Sequence, residues 1–140
     1  MVILGAINRR LWEITSDISY LNSAIESYKR GWNQYKDYYT GENYATCMYI
    51  KSKTETSGEL KTHSIDEAKL TYTEIINIIL KSCEDQEVEE LLWKYASLSN
   101  AYFALGNYAE AEKYEKLFID QQPLQWQIDT FEKTKSILKS

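Results

Sequence analysis

Residues 104–114 read ALGNYAEAEKY, with a glycine and an asparagine set inside an otherwise helical, charge-laced stretch. Gly106 suits the left-handed backbone that closes a helix, and Asn107 followed by Glu110 is an N-cap signature. One helix is therefore predicted to end and another to start within two residues, which makes the two antiparallel neighbours. The helix before the turn is predicted to open in the acidic run EDQEVEE, where carboxylates suit unsatisfied backbone amides, and to extend to Leu105. It carries two faces, Leu92, Tyr95, Leu98, Tyr102 and Leu105 on one and Trp93, Ala96, Asn100 and Phe103 on the other, so it is either sandwiched or lines a groove. The helix after the turn, about 108 to 121, is predicted to turn Tyr108, Ala111, Tyr114 and Phe118 inward and Glu112 and Lys116 outward. Pro123 stops it and suits the first turn of a last helix at 124–138, with Leu124, Ile128, Phe131 and Leu138 apolar.

Toward the N-terminus the same three- and four-residue spacing recurs, and no stretch alternates with period two. Ile3, Ile7, Leu11 and Ile14 predict a short first helix over 3–14. Ile18, Leu21, Ile25, Tyr28, Trp32 and Tyr35 form one stripe of a second, with Asp17 in its first turn. Thr40 reads as the N-cap of a third that runs to about Ser52 through Tyr44, Ala45, Met48 and Tyr49. Residues 51–63 lack an apolar period and are predicted to be a loop, closed by a Ser64–Glu67 capping box. Ile65, Ala68, Tyr72, Ile75 and Ile79 then stripe a fourth helix ending near Cys83. The expectation is an all-α protein, one domain over 1–140, with seven helices as three hairpins and a capping helix at 124–138.

Composition narrows the function classes. A formal charge of −5 with dispersed Lys and Arg argues against a nucleic-acid or anionic-membrane surface. The start, MVILGAI, has an apolar run of only a few residues, and the longest apolar run elsewhere, IINIIL, falls far short of the ~20 residues of a membrane span. Cys47 and Cys83 lack CxxC spacing and the chain has one histidine, His63, too few ligands for structural zinc, so both cysteines are expected as small hydrophobes in a reducing cytoplasm. No phosphate loop, G-x-S-x-G or H-E-x-x-H is present, and His63 has no evident orienting partner, so no enzyme, metal or cofactor is expected.

Residues 92–125 match the tetratricopeptide repeat, a helix-turn-helix unit marked W-x2-L-G-x2-Y, A-x3-F and P. Tyr95, Leu98, Ser99, Tyr102, Gly106, Ala111 and Pro123 take the marked places, and Glu115 stands where the pattern has an aromatic. Ser99 and Ala111 are small where paired helices approach most closely. Ala24, Tyr28 and Gly31 repeat the second half of the pattern in degenerate form. The expected architecture is an α-α superhelix of such hairpins.

The stretches GAINRRLW, YYTGENYATCMY and PLQWQIDTFE, in that order, together resemble the tetratricopeptide-type TRAFs-binding region of the apoptosis signal-regulating kinases and its bacterial relatives. Gly5, Ile7 and Arg9 match its first motif, Gly41, Asn43 and Ala45 its second, and Trp126 and Thr130 its third, while Ala6, Asn8 and Arg10 depart from it. The resemblance implies a regulatory helical module in signalling, with a nucleotide-type ligand in bacterial relatives. Two functions fit these features. The leading one is a scaffold whose concave face, with Trp93, Asn100 and Phe103, holds a protein or peptide. The other is a sensor that recognises a nucleotide-like messenger through Arg9, Asn43 and Trp126.

Overall fold

The computed structural model describes residues 2–82 and 88–139. Every regular element among them is helical: α1 (Val2–Thr15), α2 (Ile18–Tyr35), α3 (Tyr38–Thr54), α4 (Gly58–Lys81), α5 (Val88–Ala104), α6 (Tyr108–Asp120) and α7 (Gln125–Lys139). This is the all-α, tetratricopeptide-like fold expected from the repeat. No described helix is long and apolar enough to cross a membrane. Cys83 and most of the acidic run before α5 lie outside the described residues.

The α5–α6 turn forms as its residues dictate. Gly106 has φ 81°, its N–H donates to Phe103 O and the Asn107 N–H to Tyr102 O, and these two bonds satisfy carbonyls that the end of α5 would otherwise orphan. Asn107 then caps α6 by accepting from the Glu110 N–H at 3.4 Å. Ser99 Oγ donates 2.8 Å to the carbonyl of Ala111, and both residues are buried, so the two small positions do mark the α5–α6 crossing.

Several boundaries differ from expectation, each for a local reason. Asp37, not Thr40, caps α3: its carboxylate accepts from Thr40 N at 2.9 Å and Thr40 Oγ1 at 2.8 Å, which draws Thr40 into the first turn. Asp17 likewise sits outside α2 as its N-cap, accepting from Ser19 N and Oγ. The predicted loop at 51–63 shrinks to residues 55–57. Ser57 begins α4 by accepting from Leu60 N, and residues 58–63, His63 included, form a solvated helical extension whose exposure explains the missing apolar period. Ser64 is accordingly not a cap but a buried helical residue whose Oγ donates to Glu55. Pro123 precedes α7, where Gln127 Oε1 accepts from the Leu124 N–H at 2.8 Å.

Burial also departs from the sequence stripes at the helix ends. Leu21, Ile25, Tyr28 and Trp32 are buried as expected, but Ile18 and Tyr35 at the two ends of that stripe are exposed. Ile3, Ile7 and Ile14 of α1, and Tyr108 and Leu124 farther on, face solvent.

The chain divides into two compact units, the first ending at Thr71 and the second starting at Tyr72. In the first, α1 packs on α2 and α2 on α3. Glycines permit both contacts: a Cβ on Gly5 would lie 3.0 Å from two ring carbons of Tyr28, and one on Gly31 would lie 3.1 Å from Thr40 Cγ2. In the second, α5 packs on α6 and α7 around Leu92, Ala96, Phe118 and Phe131, with the two phenylalanine rings 4.8 Å apart.

Candidate functional site

The six residues singled out from the sequence fall into two groups. Arg9 and Asn43 belong to the first unit; Trp93, Asn100, Phe103 and Trp126 belong to the second.

In the first unit Arg9 leaves α1 and its Nη1 donates to Asn43 Oδ1 on α3 at 2.8 Å, across 34 residues of sequence. The amide of Asn43 is held from the other side, since its Nδ2 donates to Tyr39 O one turn earlier at 3.0 Å. Asn43 is thus both a local backbone partner and the group that orients Arg9. Among the described residues no carboxylate forms an ion pair with Arg9, whereas the neighbouring Arg10 reaches Glu13 at 3.8 Å. Arg9 is half-buried, so its charge is only partly hydrated.

Beside Arg9 lie buried groups kept neutral. Burial raises the Tyr28 hydroxyl to about 12, with Cys47 adding to the shift and the positive charge of Arg9 opposing it. Burial also raises the Cys47 thiol to about 11, again opposed by Arg9, so this cysteine is a packed hydrophobe rather than a thiolate nucleophile. Farther along α3, Tyr44 donates 3.0 Å to Glu67 of α4 and titrates above the ordinary tyrosine range, first from burial and then from that bond. Glu13 acts on Tyr28 and Cys47 in the opposite sense to Arg9, so these neutral groups face one cation and one carboxylate.

In the second unit Trp93 of α5 meets Trp126 of α7 with centroids 5.9 Å apart and planes tilted by 48°. Trp93 is half-buried and Trp126 is 57% exposed. Phe103 packs 5.1 Å from the exposed ring of Tyr108. Asn100, on the same face of α5 as Trp93 and Phe103, is buried, and its Oδ1 has no hydrogen-bond partner among the described residues. Such an orphaned acceptor costs about 1–3 kcal/mol.

Sequence spacing alone does not single out Lys135. Its Nζ pairs with Glu115 and lies 6.0 Å from the Phe103 centroid and 5.7 Å from that of Phe131. A signal for it exists: Glu115 occupies the place where the repeat pattern expects an aromatic, and a half-buried carboxylate there needs a cation. Among the described residues no group of three potential metal ligands converges, and His63 stands exposed on α4.

The family model described as Tetratricopeptide Repeats-Sensor matches residues 1–48. That stretch covers α1, α2 and the start of α3, and it contains both Arg9 and Asn43. The match supports a tetratricopeptide-type helical protein with a binding or sensing role. No curated protein and no solved structure matches the chain.

Proposed function

We propose that this chain is a non-catalytic regulatory module that binds a small anionic, nucleotide-like ligand through Arg9 and signals occupancy to an attached or associated effector. The observation that carries the reading is the state of Arg9, a half-buried guanidinium oriented by a neutral amide and paired with no carboxylate among the described residues. A guanidinium has five N–H donors, and Asn43 engages one of its nitrogens, which leaves a planar fork suited to a phosphate or carboxylate. A built-in carboxylate partner would compete with such a ligand; a neutral amide does not. The sensor description of the matched family and the resemblance to the TRAFs-binding regulatory region point the same way. A cytoplasmic setting fits the free, buried thiol of Cys47.

Thermal shift and calorimetry against a panel of adenine and guanine mono- and dinucleotides test the reading. A ligand at 100 times its dissociation constant should add about 2.7 kcal/mol of stability. Arg9→Met should remove that gain with the helical circular-dichroism spectrum unchanged. Absence of any shift across the panel would overturn the proposal.

A second reading has its own observation, the exposed Trp126 seated against Trp93 on the α5–α7 face. Large aromatic side chains of this kind are the usual anchors of protein interfaces. This surface would take a protein or peptide partner. A partner bound by the intact chain and still bound by a W93A/F103A variant of equal helicity would exclude it.

A further inference from the structure

We infer that Gly5 is a positioning residue for the Arg9 site, and that it acts through the ring of Tyr28. The inference rests on the proposed role of Arg9 but begins from a separate contact. Gly5 lies one helical turn before Arg9 on α1, on the face that meets α2. There the ring of Tyr28 approaches so closely that an added Cβ would stand 3.0 Å from Cε1 and Cζ and 3.2 Å from Cδ1.

The ring has no room to yield. Tyr28 is 1% exposed, and three residues farther along α2 Gly31 is already in close contact with Thr40 Cγ2 of α3, so the helix that carries the ring is itself held. Carbon atoms prefer separations of about 3.5–4.0 Å, so a methyl group at position 5 has to move α1 and the ring apart by a few tenths of an ångström. The Arg9–Asn43 bond is 2.8 Å long. An N–H···O bond loses its geometry beyond about 3.2 Å, so a displacement of that size takes the pair to the edge of bonding distance and weakens it. The missing side chain of Gly5 and the flat edge of Tyr28 therefore set the level at which the guanidinium sits against Asn43. Neither residue needs to touch a ligand for this. The hydroxyl of Tyr28 plays no part, because all the close atoms belong to the ring.

The test has a ligand-free and a ligand-bound arm. In the parent protein the Tm losses caused by R9M and N43A should be non-additive, since either change breaks the same bond. In a G5A background the two losses should come closer to additive. Y28F should leave the non-additivity intact, and G5A/Y28L, which shrinks the obstructing ring, should restore it. With adenosine diphosphate as probe, G5A should weaken binding at least tenfold and G5A/Y28L should return it to within threefold of the parent. Non-additivity that survives G5A undiminished, or that is absent in the parent, overturns the inference. Loss of the helical spectrum in G5A also overturns it, because the contact would then serve the fold and not the site. If the parent binds no adenosine diphosphate, the functional reading fails for that probe while the ligand-free cycle still decides the role of Gly5.

Discussion

The two compact units solve the same problem, bringing helices into close contact, with different chemistry. In the second unit the close approach of α5 and α6 is made by Ser99 and Ala111 and fastened by a hydrogen bond, and the turn between them is closed by a left-handed glycine. In the first unit glycines lie inside the helices, where Gly5 admits the Tyr28 ring and Gly31 admits Thr40. Its α1–α2 and α2–α3 turns are closed by Ser16 at φ 58° and Lys36 at φ 52°, as the α6–α7 turn of the second unit is by Gln122 at φ 55°. The second unit is built around an apolar centre of Leu92, Ala96, Phe118 and Phe131. The first, where the family match falls, carries a part-buried polar pair, Arg9 with Asn43. That apolar centre and the candidate charged site occupy different units.

The largest effect that would probe this contrast is in the apolar centre of the second unit. Phe118 is fully buried against Phe131, and Phe118→Ala should cost about 3–5 kcal/mol, read from the urea midpoint. A loss under about 1 kcal/mol would mean that Leu92, Ala96 and Phe131 collapse to fill the space, and that the second unit is not held by this cluster.

The first unit should fail differently, at high pH. Tyr28 is held neutral up to about 12, whereas an exposed tyrosine in the unfolded chain ionises near 10. Because the folded value is raised, the contribution of Tyr28 is fully present below pH 10 and is lost as pH rises from there through 12. The gap between the folded and unfolded values corresponds to a loss on the order of 2–3 kcal/mol. Tyr44 shifts in the same direction and adds to it, while in the second unit Tyr102 is raised, first by burial, and is only half-buried. Amide exchange between pH 9 and 11.5 should show protection falling first in α2 and α3. Y28F should flatten part of that fall; an identical pH profile in Y28F would show that the ring hydroxyl does not carry it.

What can be read from the sequence follows the same division. The α5–α6 turn is legible because each of its steps has a residue with one good explanation: Gly106 for positive φ, Asn107 for the cap, Ser99 and Ala111 for the crossing. The α2–α3 junction misleads because its helix-ending residue is a lysine, so Asp37 is easily passed over and Thr40 reads as the cap it only partners. The start of α4 reads as a loop because a fully solvated helix has no apolar period to display. In the candidate sites Arg9 and Asn43 stand out by motif resemblance, but their bond joins residues far apart in sequence and has no local signature. Glu115 and Lys135 show the converse case, a departure from the repeat that marks a contact that periodicity does not reveal.

The smallest effect sharpens the comparison most directly, because it exchanges the two kinds of helix end. At Gly106 an added Cβ meets nothing within 4 Å, so Gly106→Ala tests the backbone alone, and with φ at 81° it should cost about 1–2 kcal/mol. Ser16 holds the same kind of backbone without that freedom, and its N–H donates 2.8 Å to Trp12 O, a bond that any residue can make. Ser16→Gly should therefore relieve the left-handed strain, offset in part by the greater freedom of glycine in the unfolded chain, for a net gain of about 0.5–1 kcal/mol. The two substitutions should move the urea midpoint in opposite directions. If Ser16→Gly were neutral or destabilising, the strain at the end of α1 would be relaxed by other means, and the α1–α2 and α5–α6 turns would not differ in what their closure costs.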